Sequence, residues 1–247
     1  MQPRHRVLDP AARATMDKNL CALAIMTKAP RAGQVKTRLV PPLTSEEAAK
    51  LNICFLRDTA SAIGKACGAT GRARGVGVYT PVGAESAYID ILPTEFDLLP
   101  QRGDGFGERL AFAAEDLLRC GFGGVCLIDS DSPTVFADVY TEAVELLSKP
   151  GDRVVLGPSD DGGYYLIGLN HAHPELFERI DWSTERVLEQ TKQRAQESEL
   201  EVSLLPIGYD VDDAKTFRRL CGELLAEESS NEVAPSTREF LSTLKRN

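Results

Sequence analysis

An apolar run, Val125 to Ile128, ends in two carboxylates, Asp129 and Asp131, followed by Ser132-Pro133-Thr134. A run this short suits a buried strand. Ligands of open α/β sheets bind outside the carboxyl ends of their strands, and the hard oxygens of Asp129 and Asp131 there suit Mg2+ or Mn2+. The same residues also fit a polar turn in which Ser132 or Asp131 caps a helix beginning at Pro133. Two later apolar runs end in the same chemistry. Val154 to Pro158 leads into Ser159-Asp-Asp-Gly-Gly163, and Val202 to Ile207 leads into Gly208-Tyr-Asp-Val-Asp-Asp213. Such a cation takes one or two carboxylates and leaves its other positions to phosphate and water; Asp131 and Asp212 are the two expected, with Asp129 supporting them.

The opposing charge is concentrated after the first apolar run, Cys21 to Thr27. Residues 28–44 carry Lys28, Arg31, Lys36 and Arg38 with three prolines and one glycine, Gly33. A connection of this length without periodicity is usually functional, and four cations so close together call for an anion such as a diphosphate or triphosphate. A solvated basic loop is the alternative. Gln101-Arg-Gly-Asp-Gly-Phe-Gly107-Glu-Arg109 leads into a helix over Ala111 to Arg119. Its G-x-G-x-G spacing is not the dinucleotide fingerprint, which excludes a Rossmann NAD site. The glycines suit close approach of a ligand or a structural turn. Asp161, Gly162 and Gly163 suit either a hairpin or a sugar or ribose lying on the backbone. Trp182, the one tryptophan, precedes a helix that Ser183 or Thr184 would cap, and is read as packing with base stacking as a second role. His171 and His173 lack the further partners that a metal needs.

These groups need a scaffold that gathers strand ends. Apolar runs of strand length alternate with amphipathic segments, which predicts an α/β fold with a mainly parallel sheet. Thr44-Ser-Glu-Glu47 has the spacing of a capping box opening a helix to about residue 67. Further helices are expected over residues 133–148, 182–197 and after Asp213, and a short one closes the chain beyond a polar linker over 227–234. Residues 1–20 read as a mobile N-terminal tail, and residues 21–247 as one domain.

Of the 247 residues, 43% are hydrophobic and 26% charged, which fits a folded globular chain. The formal net charge of −9 argues against a nucleic-acid surface. Six scattered cysteines without a C-x-x-C pair read as reduced thiols of a cytoplasmic protein, not as a zinc site. No apolar run approaches the ~20 residues of a membrane span.

Lys28-x-Pro30-x-x-Gly33-x-Val35-Lys36-Thr37-Arg38-Leu39, Gly107-Glu108-Arg109, Ile128-Asp-Ser-Asp-Ser-Pro-Thr134, Asp161-Gly-Gly-Tyr-Tyr-Leu-Ile-Gly168 and Trp182-Ser-Thr184 together resemble the DUF2064 family of GT-A-fold, nucleotide-diphospho-sugar transferase-like proteins. The resemblance runs from about residue 21 to 225. It implies a GT-A-type three-layer α/β/α sandwich, with Lys36 and Arg38 binding phosphates, Asp131 as main metal ligand and Asp212 completing the site. Lys28, Gly33, Gln101, Gly107, Arg109, Asp161, Gly162, Gly163 and Trp182 are then the expected substrate contacts. The favoured activity is metal-dependent nucleotidyl transfer from a nucleoside triphosphate to a small phosphorylated or sugar acceptor. Glycosyl transfer from a nucleotide-diphospho-sugar and nucleotide binding without turnover are the alternatives. Asp213-Ala214 departs from the Thr-Pro of related nucleotidyltransferases, though Asp213 can still cap the last helix.

Overall fold

In the computed structural model, residues 5–12, 14–226, 230 and 232–244 are described. Seven strands form one sheet: β1 (Cys21–Lys28), β2 (Ala73–Thr80), β3 (Asp97–Pro100), β4 (Gly124–Ile128), β5 (Arg153–Pro158), β6 (Tyr164–Leu169) and β7 (Glu201–Leu204). Their order is β3-β2-β1-β4-β6-β5-β7. Only β6 runs against the others, pairing antiparallel with β4 and β5. Asp160 to Gly163 is therefore the hairpin its D-G-G signal allows, with the Ser159 amide donating to the Gly163 carbonyl at 3.0 Å.

Side-chain alternation along the strands divides the core. Leu23, Ile25, Cys126 and Val155 face one layer, which includes α1 (Ser45–Thr70) and α3 (Ala137–Leu147). Ala22, Ala24, Val125, Leu127 and Leu156 face the other, with α2 (Phe106–Arg119) and α4 (Val187–Glu197). A third cluster positions the first loop. Leu39 and Leu43 pack with Leu51 and Phe55 of α1, with Tyr209 and Val211, and with Phe217 and Leu220 of α5 (Ala214–Leu224). Leu39 and Val211 are fully buried. That contact draws the loop after β1 to the chain after β7.

The helix ends follow local chemistry where the side chains are free to cap. Thr44 and Glu47 form the expected capping box of α1, and Asp213 caps α5 by accepting from the Lys215 and Thr216 amides. The closing helix α6 (Pro235–Leu244) is capped across space. Its Ser236 and Thr237 amides donate to Asp58 of α1, both at 2.9 Å.

Four expectations are corrected. α3 begins at Ala137 rather than Pro133, and the Ser132 hydroxyl donates to Asp129 in the loop before it. α4 begins at Val187, preceded by a turn in which Thr184 Oγ1 donates to the Asp181 carbonyl and accepts from the Arg186 amide. α2 starts five residues early, at Phe106, with Glu108 accepting from the Asp104 and Gly105 amides. Residues 5–12, expected in a mobile tail, are docked on the sheet edge. Leu98 exchanges backbone hydrogen bonds with Arg6 and Leu8, Arg6 pairs with Asp97, and His5 and Leu8 are buried. The expected linker over 227–234 falls partly on residues 227–229 and 231, outside the described residues.

All six cysteines are free thiols, four of them buried. Among the described residues no helix is long and apolar enough to cross a membrane.

Candidate active site

The ends of β4, β5 and β7 bring five aspartates to one cleft. An extended segment sends alternate side chains to one face. Asp129 and Asp131 after β4, and Asp210 and Asp212 after β7, therefore project as two pairs. Between Asp210 and Asp212, Val211 turns into the third core cluster, and its amide donates to the Asp131 carbonyl at 2.9 Å. This hydrogen bond joins the two carboxylate loops. The cleft, of about 320 Å³, is lined by all four of these acids and by Asp161, with Met26, Phe106, Leu110, Trp182 and Val187 as apolar lining.

Lys36 stands at the meeting point. Its ammonium lies 2.8 Å from Asp131 Oδ1 and 2.9 Å from Asp212 Oδ1, and it donates to the Val211 carbonyl at 2.7 Å. The Lys36 side chain is only 4% exposed. Its backbone is left-handed, φ 49° and ψ 35°, a conformation that costs a non-glycine residue about 1–2 kcal/mol. Burial alone would lower the Lys36 pKa, but Asp131 and Asp212 outweigh it and hold the ammonium charged above its usual range. The resemblance implies phosphate binding by Lys36. Here its hydrogen bonds go to the carboxylates and a carbonyl instead, because two acids closed in by the first loop need a counter-charge.

One ammonium does not neutralise the acids around it. Burial, and then Asp131, push Asp129 well above the carboxylate range. Burial also raises Asp131 despite Lys36. Asp210 is raised to about 6, by burial first and then by Asp161 and Asp212. Asp212 is lowered, since Lys36 overcomes the effect of its burial. The Asp131 and Asp212 oxygens already converge on a single cation, and an all-oxygen donor set of this sort suits Mg2+ or Mn2+ completed by phosphate and water. Among the described residues, no group of three or more His, Cys, Asp or Glu side chains is arranged to hold a metal ion by itself. Asp129 faces this centre but ties its own loop, accepting from Ser132 Oγ at 2.8 Å and from the Asp131 amide at 3.3 Å.

The remaining expected residues divide into those at the cleft and those spent elsewhere. Asp161 and Gly163 line the cleft, and Asp161 Oδ1 accepts from the Gly163 amide at 2.9 Å. Trp182 also lines it and meets Phe106 edge to face, with ring centroids 5.0 Å apart. Lys28, at the end of β1, and Gly33 and Arg38 on the loop after it lie exposed. Arg38 is close enough to help lower Asp212.

Four of the expected contacts are engaged within the protein. Gln101 Nε2 donates to the Thr27 and Val78 carbonyls, so its amide closes the ends of β1 and β2. Arg109 donates to the Gly103 and Asp104 carbonyls and braces the turn before α2. Gly107 makes room for protein, since a Cβ there would lie 2.7 Å from Trp182 Nε1 and 2.8 Å from the Phe177 carbonyl. Gly162, at φ 91°, is likewise filled from within, because a Cβ there would overlap the Glu185 carbonyl. His171 and His173 pair with Asp152.

Asp210 and Phe106, outside the expected set, also line the cleft. Asp210 had a legible signal, its spacing of two from Asp212. Phe106 had none, because its exposure beside Trp182 depends on how α2 packs against the loop after β6.

The sequence model of a family described as "Uncharacterized protein conserved in bacteria (DUF2064)" matches residues 63–184, so the resemblance to that family holds over those residues. No curated protein matches the chain. Among solved structures, a candidate nucleotide-diphospho-sugar transferase from Desulfovibrio desulfuricans G20 is similar at 27% identity and a TM-score of 0.80, covering 94% of this chain and 96% of that one. CMP:2-keto-3-deoxy-manno-octonic acid synthetase, solved in complex with CTP, shares the fold at a TM-score of 0.52 and 10% identity, covering 81% and 96%. A cytidylyltransferase from Leptospira borgpetersenii serovar Hardjo-bovis (strain JB197) does so at 0.50 and 11%, covering 94% and 95%. The fold is thus the expected GT-A-type α/β/α sandwich, and the transferase class is borne out.

Proposed function

We propose that this chain is a divalent-metal-dependent transferase that acts on a nucleotide-activated substrate, with nucleotidyl transfer from a nucleoside triphosphate as the favoured reaction. The observation that carries this reading is the shared cation position of Asp131 and Asp212, flanked by Lys28 at the end of β1 and by the loop bearing Arg31 and Arg38. In the sheet order, that loop leaves β1 on one side of the β4 acids, and the cleft opens on the other side towards β6 and β5. Donor phosphates on the loop and an acceptor in the cleft would meet at Asp131.

Asp131 and Asp212 are the residues that would hold Mg2+ or Mn2+, which when bound would neutralise phosphate charge and stabilise the leaving diphosphate. Lys36 then becomes the cation free to move from carboxylate to phosphate. Arg38 and Arg31 add charge-assisted hydrogen bonds to the departing group. Asp210 lines the cleft and is the carboxylate available there to take a proton from an acceptor hydroxyl. No covalent intermediate is required.

Glycosyl transfer from a nucleotide-diphospho-sugar is the second reading, supported by the description of the Desulfovibrio structure as a candidate nucleotide-diphospho-sugar transferase. Thermal unfolding with nucleoside triphosphates and with sugar nucleotides, each with Mg2+ or Mn2+, separates the two. Stabilisation by a triphosphate, with diphosphate release on adding an acceptor, is the expected outcome. Stabilisation by sugar nucleotides alone reverses the order. Asp131→Asn should abolish the metal-dependent part of the stabilisation; its persistence in that variant would count against Asp131 as a ligand.

A further inference from the structure

The charge of the cleft restricts what can enter it. Asp129, Asp131, Asp161, Asp210 and Asp212 line it, and among the described residues no lysine, arginine or histidine does. Lys36 reaches the rim only through Asp131 and Asp212, and its ammonium is already committed to them. The cations of the first loop lie outside this lining. With Lys36 and one divalent cation at Asp131 and Asp212 set against them, the five carboxylates still leave the cleft net negative, so a phosphate ester there meets an excess of like charge.

The apolar part of the lining indicates what does fit. Phe106, 57% exposed, and Trp182 present aromatic surface beside Met26, Leu110 and Val187. A carboxylate accepts hydrogen bonds and donates none when ionised, while an aromatic ring packs on C–H surface. A ligand satisfying both kinds of lining carries several hydroxyl donors, an apolar face and no negative charge. At about 320 Å³ the cleft is at the small end of ligand pockets, which span about 300–1,000 Å³. It has room for a molecule of monosaccharide size rather than for a whole nucleoside triphosphate.

We infer that the acceptor taken by this cleft is an uncharged, hydroxyl-rich molecule of monosaccharide size, and not a phosphate ester. The inference rests on the transferase reading above and narrows it. Of the two acceptor types the sequence suggests, phosphorylated or plain sugar, the cleft selects the second.

Trp182 is the only tryptophan in the chain, so its emission reports on this cleft. The chain is titrated in magnesium buffer with neutral hexoses, N-acetylated hexosamines and polyols, and in parallel with the phosphate monoesters of the same compounds. At least one neutral compound should change the Trp182 emission with a midpoint about tenfold or more below that of its ester, since like charges brought together disfavour the ester. Phe106→Ala should weaken that response while shifting the unfolding temperature by only about a degree or two, because Phe106 is largely exposed. An ester that binds as well as its parent, a simple amine that outcompetes the neutral compounds, or no response from any of them would overturn the inference. Thermal stabilisation by nucleoside triphosphates in the same buffer keeps the two readings apart. Triphosphate binding with a preference for esters defeats this inference alone; a preference for neutral compounds without any nucleotide binding defeats the transferase reading alone.

Discussion

Lys36 carries its charge to two carboxylates from a backbone conformation that opposes it, and this makes it the residue most informative to change. Removing one partner of a fully buried ion pair costs about 3–5 kcal/mol. Asp131 and Asp212 retain 29% and 43% side-chain exposure, so the loss for Lys36→Met should be smaller, about 2 kcal/mol at pH 7. The two acids would then lack their counter-ion, and millimolar Mg2+ should raise the unfolding temperature of the variant more than that of the wild type. Differential scanning calorimetry with and without the metal reads both effects. An equal metal response in the two proteins would mean that Lys36 and the metal do not compete for the same oxygens.

At the scale of elements, the turns at the far end of the sheet carry a pH-sensitive tie. His173 bonds to Glu175 at 2.8 Å and to Asp152 at 3.0 Å, linking the segment after β6 to the start of β5. Burial lowers the His173 pKa, but these two carboxylates outweigh it and leave it raised from 6.5. Against burial, Asp152 is lowered by His173, and Glu175 is lowered by its own backbone amide first and then by His173. A raised histidine contributes stability that is complete below its unfolded pKa and disappears as pH rises through the folded value. The lowered acids contribute above their unfolded values of 3.8 and 4.5 and lose their contribution as pH falls through the folded ones. The tie is therefore strongest between about pH 4.5 and 6.5. Since Asp152 and Glu175 are more than a third exposed, it is worth under about 1 kcal/mol. His173→Gln should lower the urea midpoint at pH 5.5 and leave it nearly unchanged at pH 9; a loss of equal size at both would show that packing, not charge, is what the histidine supplies.

At the scale of the whole molecule, the N-terminal segment closes one edge of the sheet. Leu98 of β3 exchanges backbone hydrogen bonds with Arg6 and Leu8, and Asp97, 1% exposed at its side chain, is paired by both Arg6 and Arg74. Deleting residues 1–12 would expose that edge and remove the burial of Leu8, worth about 1.5–3 kcal/mol, together with one of the two pairs to Asp97. A loss of about 3 kcal/mol is expected in urea unfolding, with concentration-dependent association in size-exclusion chromatography as the exposed strand finds partners. A monomeric deletion variant of unchanged stability would show that the docked segment contributes nothing to closing the edge.

Much of this was legible in the amino-acid sequence because it depends on near neighbours. The alternation of strands and helices, the Thr44–Glu47 capping box, the cap at Asp213 and the presence of carboxylates at three strand ends each follow from side chains a few residues apart. The sequence also marked Asp131 and Asp212 as partners, and the structure places both on one cation. Tertiary structure decided the rest, because the competing partners lie far along the chain. Lys36 met Asp212 across 176 positions through the packing of Leu39 against Val211, and Gln101 was taken up by the strand ends at Thr27 and Val78. The glycines expected to admit a ligand at 107 and 162 were occupied by Trp182 and by the Glu185 backbone. Local sequence sets which charges stand at the strand ends. Only the packing of distant segments determines which of those charges are spent on one another and which remain for a substrate.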